Sequence, residues 1–140
     1  DIADTFVGPD YFADQSDAVV ENFRAGVMDR LGLAYETLIA RNPKLVYATI
    51  RGFGDPRTGR SPYWNWPAYD VVSQAMGGIM GITGPVPGGA PTKIGPGVGD
   101  LIPAAFLAFG VASACWRASR VRAARDPGTG PSIFWARMMP

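Results

Sequence analysis

The sequence predicts an α/β fold, in which parallel strands alternate with helices. Residues 18–20 form a short apolar run bounded by polar residues, which is typical of a buried strand in a parallel sheet. Residues 45–50 are rich in β-branched and aromatic side chains and predict a second strand. Because short helices are predicted between these two strands, we favour an α/β fold over an α+β fold.

The intervening helices follow from the spacing of the apolar residues. Residues 27–33 predict a helical turn that Gly32 interrupts, and residues 34–41 predict a second, amphipathic helix. Pro43 ends this helix, because proline disfavours the helical conformation in the residue before it.

Two long connections follow the second strand. Residues 51–67 form a loop rich in glycine, proline and aromatic residues, and residues 82–99 form another glycine- and proline-rich connection. Between them, residues 69–80 predict a helix that is weakened at Gly77 and Gly78. We expect its buried side to carry the apolar residues Val71, Val72, Ala75, Met76 and Ile79.

The second connection ends in three glycines that lead to Asp100. We expect Gly95, Gly97 and Gly99 to adopt dihedral angles closed to other residues and to approach a ligand closely. Residues 101–116 predict an apolar helix with a proline in its first turn. Asp100 is thereby placed at a helix N-terminus, where the helix dipole favours an ionised carboxylate. Its local sequence alone favours a helix cap over a nucleophile.

Composition narrows the classes of function. The chain has one cysteine, Cys115, and no histidine, so an internal disulfide, a Cys/His metal site and a His-dependent hydrolase triad are all excluded. The N-terminus lacks the features of a signal peptide, and we expect a cytoplasmic protein. Residues 101–116 are shorter than the roughly 20 residues that span a bilayer, so we expect a buried helix and no membrane partner.

Charge is distributed unevenly. Residues 1–100 carry 8 basic and 11 acidic residues, whereas residues 101–140 carry 5 basic and 1 acidic. The basic excess lies in Arg117, Arg120, Arg122 and Arg125. No nucleic-acid-reading motif accompanies this cluster, so we expect a solvated helix end and no nucleic-acid partner. The glycine run lacks the Gly-Lys-Ser/Thr ending of a P-loop.

The end of the first predicted strand carries a candidate ligand site. Asn22, Phe23 and Arg24 offer an amide, an aromatic ring and a guanidinium, which suit a nucleotide base and its phosphates. Arg30 adds a second cation. The alternatives are an ordinary turn and, for Arg30, a surface ion pair with Asp29 or Glu36.

Six segments share a recognisable pattern: VVENFRAGVMDRLG at 19–32, NPKLVY at 42–47, GFG at 52–54, PAYD at 67–70, QAMGG at 74–78 and the glycine- and proline-rich run at 84–100. In this order and with this spacing, they resemble the class III CoA-transferases, a family that also contains the α-methylacyl-CoA racemases. The resemblance implies a Rossmann-like open sheet with flanking helices, within a larger fold whose two subunits interlock as a homodimer.

The same resemblance implies a mechanism and a site. Asp100 corresponds to the nucleophile that attacks an acyl-CoA thioester and passes through an anhydride and an aspartyl-CoA thioester, before a small carboxylic acid takes the CoA. CoA is implied as a substrate rather than a tightly bound cofactor. Its implied contacts are Asn22, Phe23 and Arg30, with Arg24, Pro67, Ala68, Tyr69 and Asp70 alongside.

One position distinguishes the two branches of the family. The racemases carry a histidine where this sequence has Tyr69, and use it with the aspartate as an acid/base pair. The chain has no histidine, so the transferase is favoured over the racemase. A catalytically inactive CoA-binding or structural fragment is the remaining alternative.

The resemblance also implies a division of the chain. It covers residues 17–115, which we assign to part of the transferase large domain. Residues 1–16 are unassigned, and residues 116–140 form an Arg/Gly/Pro-rich tail that does not match the family. Because family members run to several hundred residues, we expect a fragment, with a truncated gene model or a frameshift near residue 115.

Overall fold

The computed structural model describes residues 9–124 and 133–137. Its elements, in chain order, are α1 (Pro9–Gln15), β1 (Ala18–Glu21), α2 (Val27–Arg30), α3 (Tyr35–Arg41), β2 (Val46–Arg51), α4 (Asp70–Met76), α5 (Ile79–Ile82), α6 (Val98–Ala124) and β3 (Ile133–Arg137).

The described strands form one parallel sheet in the order β1-β2-β3. Ala18 pairs with Val46 across the first ladder, and Tyr47 pairs with Ile133 across the second. The mixed α/β prediction is confirmed, and the third strand adds an element within the tail. Because parallel strands point the same way, the loops that follow β1 and β2 emerge at the same edge of the sheet.

The core lies around β2. Val46, Tyr47 and Ala48 are almost completely buried, and the Tyr47 ring meets Tyr35 of α3 edge to face at 5.7 Å. Burial raises the pKa of the Tyr47 hydroxyl. The expectation of a buried first strand is wrong, because among the described strands β1 pairs only with β2, and Val20 is 56% exposed.

The helix predicted over residues 69–80 is two helices, α4 and α5. Gly78, with φ of 80°, takes the left-handed conformation and breaks the helix at the predicted weak point. The predicted buried side is wrong, because Val71 and Met76 are exposed. The buried residue of α4 is Gln74, at 2% exposure, which faces the connection that leads to α6.

The apolar helix is longer than predicted at both ends. It starts at Val98, so Pro103 lies inside the helix rather than in its first turn, and it continues through the arginines at 117 and 120. The expectation of a buried helix is also wrong. The helix packs against β2 and α4, and Leu107 is only 4% exposed, but Phe109 is 74% exposed.

The Val98–Arg120 part of α6 is long and apolar enough to cross a membrane, by length and composition only. Only 17% of its most apolar window is buried by the rest of the described chain. A single helix of this kind is weak support for a membrane segment.

Candidate functional site

The loop after β1 is fixed to the end of β2 by an arginine. Arg51 Nη2 lies 2.8 Å from Oε1 of the buried Glu21, which makes an ion pair, and Arg51 Nη1 donates to the carbonyl oxygen of Phe23. The other carboxylate oxygen, Glu21 Oε2, accepts the N–H of Phe23 at 2.8 Å. The predicted CoA-contacting loop is therefore held in place through its backbone at Phe23 and through the Glu21 side chain that precedes it.

The side chains of that loop point toward solvent. Asn22 and Arg24 are exposed and Phe23 is 52% exposed, so their polar and aromatic groups are open to a ligand. Arg24 Nη2 donates to the carbonyl oxygen of Asn65 at 3.3 Å, which connects this loop to the segment before residue 67.

Arg30 is an exposed cation at the end of α2, on the segment that follows the loop. Of its two predicted alternative partners, Glu36 is paired with Arg57 at 2.7 Å, and Asp29 forms no ion pair with it within the described chain. Arg30 is therefore available to an anionic ligand.

The Pro67–Asp70 segment lies beside the end of β2. A Cβ atom on Gly52 would collide with the Cβ of Ala68, so only glycine allows the two backbones to lie this close. Pro67 and Tyr69 are exposed on either side of Ala68, and Tyr69 is 71% exposed. The structure thus brings both predicted CoA-binding segments to one edge of the sheet.

Asp70, the first residue of α4, joins this edge to α6. Its Oδ1 accepts the backbone N–H of Gly99 at 2.8 Å, and its Oδ2 lies 2.9 Å from Lys93 Nζ. The Gln74 amide donates to both carboxylate oxygens, at 2.9 and 3.0 Å. The Gln74 amide and the Lys93 ammonium hold the pKa of Asp70 below its ordinary value.

Asp100 lies in the first turn of α6, one residue after Gly99. The prediction of a helix N-terminus is confirmed, but the side chain that caps the helix is Asp70, from another helix. The Asp100 side chain is exposed and forms no ion pair or hydrogen bond among the residues described. A Cβ on Gly97 would lie 3.7 Å from Asp70 Cγ and 4.0 Å from Asp100 Oδ2, so the two carboxylates lie near one another.

The glycines before Asp100 act differently from the prediction. Gly95, Gly97 and Gly99 all have negative or extended φ values, so unusual dihedral angles are not the reason for glycine there. Close packing is the reason at Gly99, where a Cβ would lie 2.9 Å from Ser73 Cβ and 3.0 Å from the Asp70 carbonyl oxygen. The close approach of the Gly99 backbone is therefore to α4 of the same chain, whereas the prediction was an approach to a ligand.

Sequence reasoning missed three residues that shape this region: Arg51, Gln74 and Lys93. Gln74 had a detectable signal, because Asp70 and Gln74 stand four residues apart on one helix, a spacing at which side chains interact. Arg51 and Lys93 act across loops, so no local pattern marks them. Among residues 9–124 and 133–137, no group of three or more acidic, histidine or cysteine residues is placed to hold a metal ion.

Comparison with known proteins identifies the family of the chain. The model of CoA-transferase family III matches residues 11–136, which extends beyond residues 17–115 on both sides. The succinyl-CoA:mesaconate CoA-transferase of Haloarcula hispanica is 52% identical over 101 residues, which cover 72% of this chain and 25% of that protein. The acetyl-CoA:oxalate CoA-transferase of Acetobacter aceti is 48% identical over 107 residues, 76% of this chain and 26% of that protein.

Solved structures show the same similarity. A CaiB/BaiF family protein from Brucella suis superposes with a TM-score of 0.73 at 34% identity, over 89% of this chain and 30% of that one. A protein from Mycobacterium tuberculosis gives a TM-score of 0.73 at 31% identity, over 92% and 33%. The chain thus spans about a quarter of the curated relatives and a third of the solved structures. The chain belongs to CoA-transferase family III.

Proposed function

We propose that this segment carries the nucleophile and part of the CoA site of a CoA-transferase, which moves CoA from an acyl-CoA to a carboxylic acid. The observation that carries the proposal is the continuous set of contacts from the loop after β1 to Asp100. Arg24 contacts Asn65, Ala68 packs on Gly52, and Asp70 bonds to Gly99. These contacts link the segments that carry the implied CoA-binding residues to the start of the helix that carries the implied nucleophile, which supports the proposal.

Asp100 has the properties that a carboxylate nucleophile needs. It is exposed, and it lies in the first turn of α6. In the proposed reaction a carboxylate oxygen of Asp100 forms a bond to the thioester carbonyl carbon, and the carbon–sulfur bond breaks to release CoA thiolate. The product is a mixed anhydride between Asp100 and the acyl group.

The thiolate then completes the transfer. It attacks the aspartyl carbonyl carbon of the anhydride, which forms an aspartyl-CoA thioester and releases the first carboxylic acid as its carboxylate. The second carboxylate attacks this thioester and releases the thiolate again. The thiolate finally attacks the carbonyl carbon of the new acyl group, which gives the new acyl-CoA and frees Asp100.

The remaining predicted residues would hold CoA. The guanidinium groups of Arg24 and Arg30 suit its phosphates, and the exposed Phe23 ring suits its base. Asn22 and the Pro67, Ala68, Tyr69 and Asp70 segment lie alongside. No tightly bound cofactor is needed, because CoA enters as a substrate.

Three further features belong to the proposal. We expect residues 17–115 to form part of the large domain of a cytoplasmic homodimer, with a Rossmann-like sheet in each interlocked subunit. The partners are an acyl-CoA and a small carboxylic acid, with neither nucleic acid nor membrane. Racemase activity is disfavoured, because Tyr69 stands where the racemases carry a histidine.

The test is hydroxylamine trapping of an enzyme-bound acyl group in the full-length protein. Trapping should be lost in Asp100→Ala and kept in Asp29→Ala, a matched exposed acid in the first turn of α2. Equal trapping by Asp100→Ala would contradict the proposal.

The exposed Asn22, Phe23 and Arg24 also suit one second candidate, a CoA-binding segment without catalysis, because CoA binding by these residues does not require Asp100. Calorimetric titration of CoA into the same protein separates the two. Binding without acyl trapping would support the second candidate, and no heat at millimolar CoA would exclude both.

A further inference from the structure

Gln74 is the most deeply buried polar side chain near Asp100. It is 2% exposed, although its helix leaves the apolar Val71 and Met76 in solvent. Burying an amide in place of available apolar residues is costly unless its hydrogen bonds are satisfied.

The amide of Gln74 is satisfied on both sides. Its Oε1 accepts the backbone N–H of Ile94 at 2.8 Å. Its Nε2 donates to both oxygens of Asp70 and also lies 3.4 Å from the Ile94 carbonyl oxygen and 3.5 Å from that of Pro96. One side chain thus connects the start of α4 to two points of the connection that precedes α6.

Asp70 extends this connection to the helix that carries Asp100. With its carboxylate held by Gln74, Asp70 Oδ1 accepts the N–H of Gly99 and fixes the first turn of α6. Lys93 adds to the same network, because its Nζ pairs with Asp70 and donates to the carbonyl oxygens of Ile94 and Gly95 at 3.0 and 3.2 Å.

We propose that Gln74 is a positioning residue for the nucleophile, acting through Asp70 and Gly99 to set where the Asp100 carboxylate stands. This inference rests on the proposed role of Asp100. Gln74 does not touch the reacting atoms. Its loss should therefore slow acyl transfer to Asp100 and leave CoA binding by the exposed residues after β1 largely unchanged.

The decisive variant is Gln74→Glu in the full-length protein. At neutral pH the introduced carboxylate can accept from Ile94 but cannot donate to Asp70, and two like charges then face each other. At lower pH one proton shared between the two carboxyl groups restores a donor, because like charges at short range raise the pKa of one of them. The other charged groups nearby are Lys93, from the connection, and Asp100, from the start of α6.

The experiment measures the single-turnover rate of acyl transfer to Asp100 from acetyl-CoA, as a ratio to wild type at each pH. For Gln74→Glu we expect a rate of acyl transfer roughly 10- to 100-fold lower than wild type at pH 7.5. The loss should appear in kcat, and KM for acetyl-CoA should stay unchanged. Near pH 5.5 the rate should recover toward that of wild type. Gln74→Leu should lose a similar factor at both pH values. Gln15→Glu, at an exposed position of α1, is the matched control and should follow wild type.

Urea unfolding of Gln74→Glu at pH 7.5 and pH 5.5 separates positioning from a folding defect, because the positioning role requires a slower rate in a variant that is folded at both pH values. Three results would each overturn the inference: a wild-type rate for Gln74→Glu at pH 7.5, a loss of rate that does not change with pH, or a loss confined to KM.

The variant Asp100→Ala tests the proposed function separately from the positioning role of Gln74. If it still accepts the acyl group, the proposed function fails. If it does not, and Gln74→Glu matches wild type, only the positioning role fails.

Discussion

Oδ1 of Asp70 accepts the backbone N–H of Gly99 at 2.8 Å, so the helix that carries Asp100 is capped by a side chain of a different helix. In most helices the capping side chain belongs to the residue just before the first turn. Here the cap also determines how α4 and α6 pack, because the bond requires the two helix starts to stay together.

This close approach predicts a strict demand for glycine at position 99. A Cβ there would lie 2.9 Å from Ser73 Cβ, so Gly99→Ala should push α6 away from α4. We expect a loss of about 1–2 kcal/mol in the free energy of unfolding, because overpacking outweighs the gain in helix propensity. Urea unfolding measures it. Gly95→Ala, whose Cβ would have no neighbour within 4 Å, is the control and should change little.

The Asp70 carboxylate predicts an acid-sensitive helix junction. Its pKa is held below the ordinary value of 3.8 in the folded protein, so ionised Asp70 contributes stability above the unfolded pKa. That contribution is lost as the pH falls through the lower, folded pKa. The protection factor of the Gly99 amide in hydrogen exchange should therefore decrease below about pH 4. An Asp70→Asn variant that shows the same decrease would contradict this assignment.

The ion pair between Glu21 and Arg51 predicts a strong dependence on both partners. The Glu21 side chain is 1% exposed, so Arg51→Met would leave a buried carboxylate without its cation. We expect a loss of about 3–5 kcal/mol in urea unfolding. The double variant Glu21→Gln/Arg51→Met should regain part of it. A double variant no more stable than Arg51→Met would show that the lost contact to Phe23, rather than the unpaired charge, dominates.

The contact between Gly52 and Ala68 predicts a reciprocal pair of substitutions. Gly52→Ala should destabilise the protein by about 1–3 kcal/mol, because the added methyl group meets the Ala68 side chain. Adding Ala68→Gly removes that obstacle, so the double variant should be more stable than Gly52→Ala alone. Thermal unfolding of the four proteins in this cycle measures the coupling. Additive effects of the two substitutions would contradict direct contact.

The sequence predicted the elements that depend on local patterns. The strand at β2, the break at Gly78 and the end of α3 before Pro43 follow from side-chain type and backbone restriction, which act within a few residues. The same patterns gave wrong predictions where tertiary packing determines which side chains are buried. Val71 and Met76 have the spacing of a buried helix face, yet α4 buries Gln74 instead. The reason is that the Gln74 amide accepts the backbone N–H of Ile94 in a distant connection, which no local sequence pattern indicates.

The candidate site was likewise predictable from the sequence only in part. The proposed CoA contacts and the proposed role of Asp100 come from resemblance to a family, and the structure brings their segments together. The cap on α6 was assigned to Asp100, whereas the structure assigns it to Asp70. Position in sequence favours the nearest carboxylate, but the hydrogen bond depends on a contact between residues 29 positions apart.

One face of α6 has a consequence for folding energetics. Leu101, Ile102, Phe106, Phe109 and Trp116 are all exposed. Burying five such side chains is worth on the order of 10 kcal/mol, which is comparable to the whole stability of an ordinary domain. A surface that covered this face would therefore change the folding free energy of the segment by about as much as all of the segment's own contacts together.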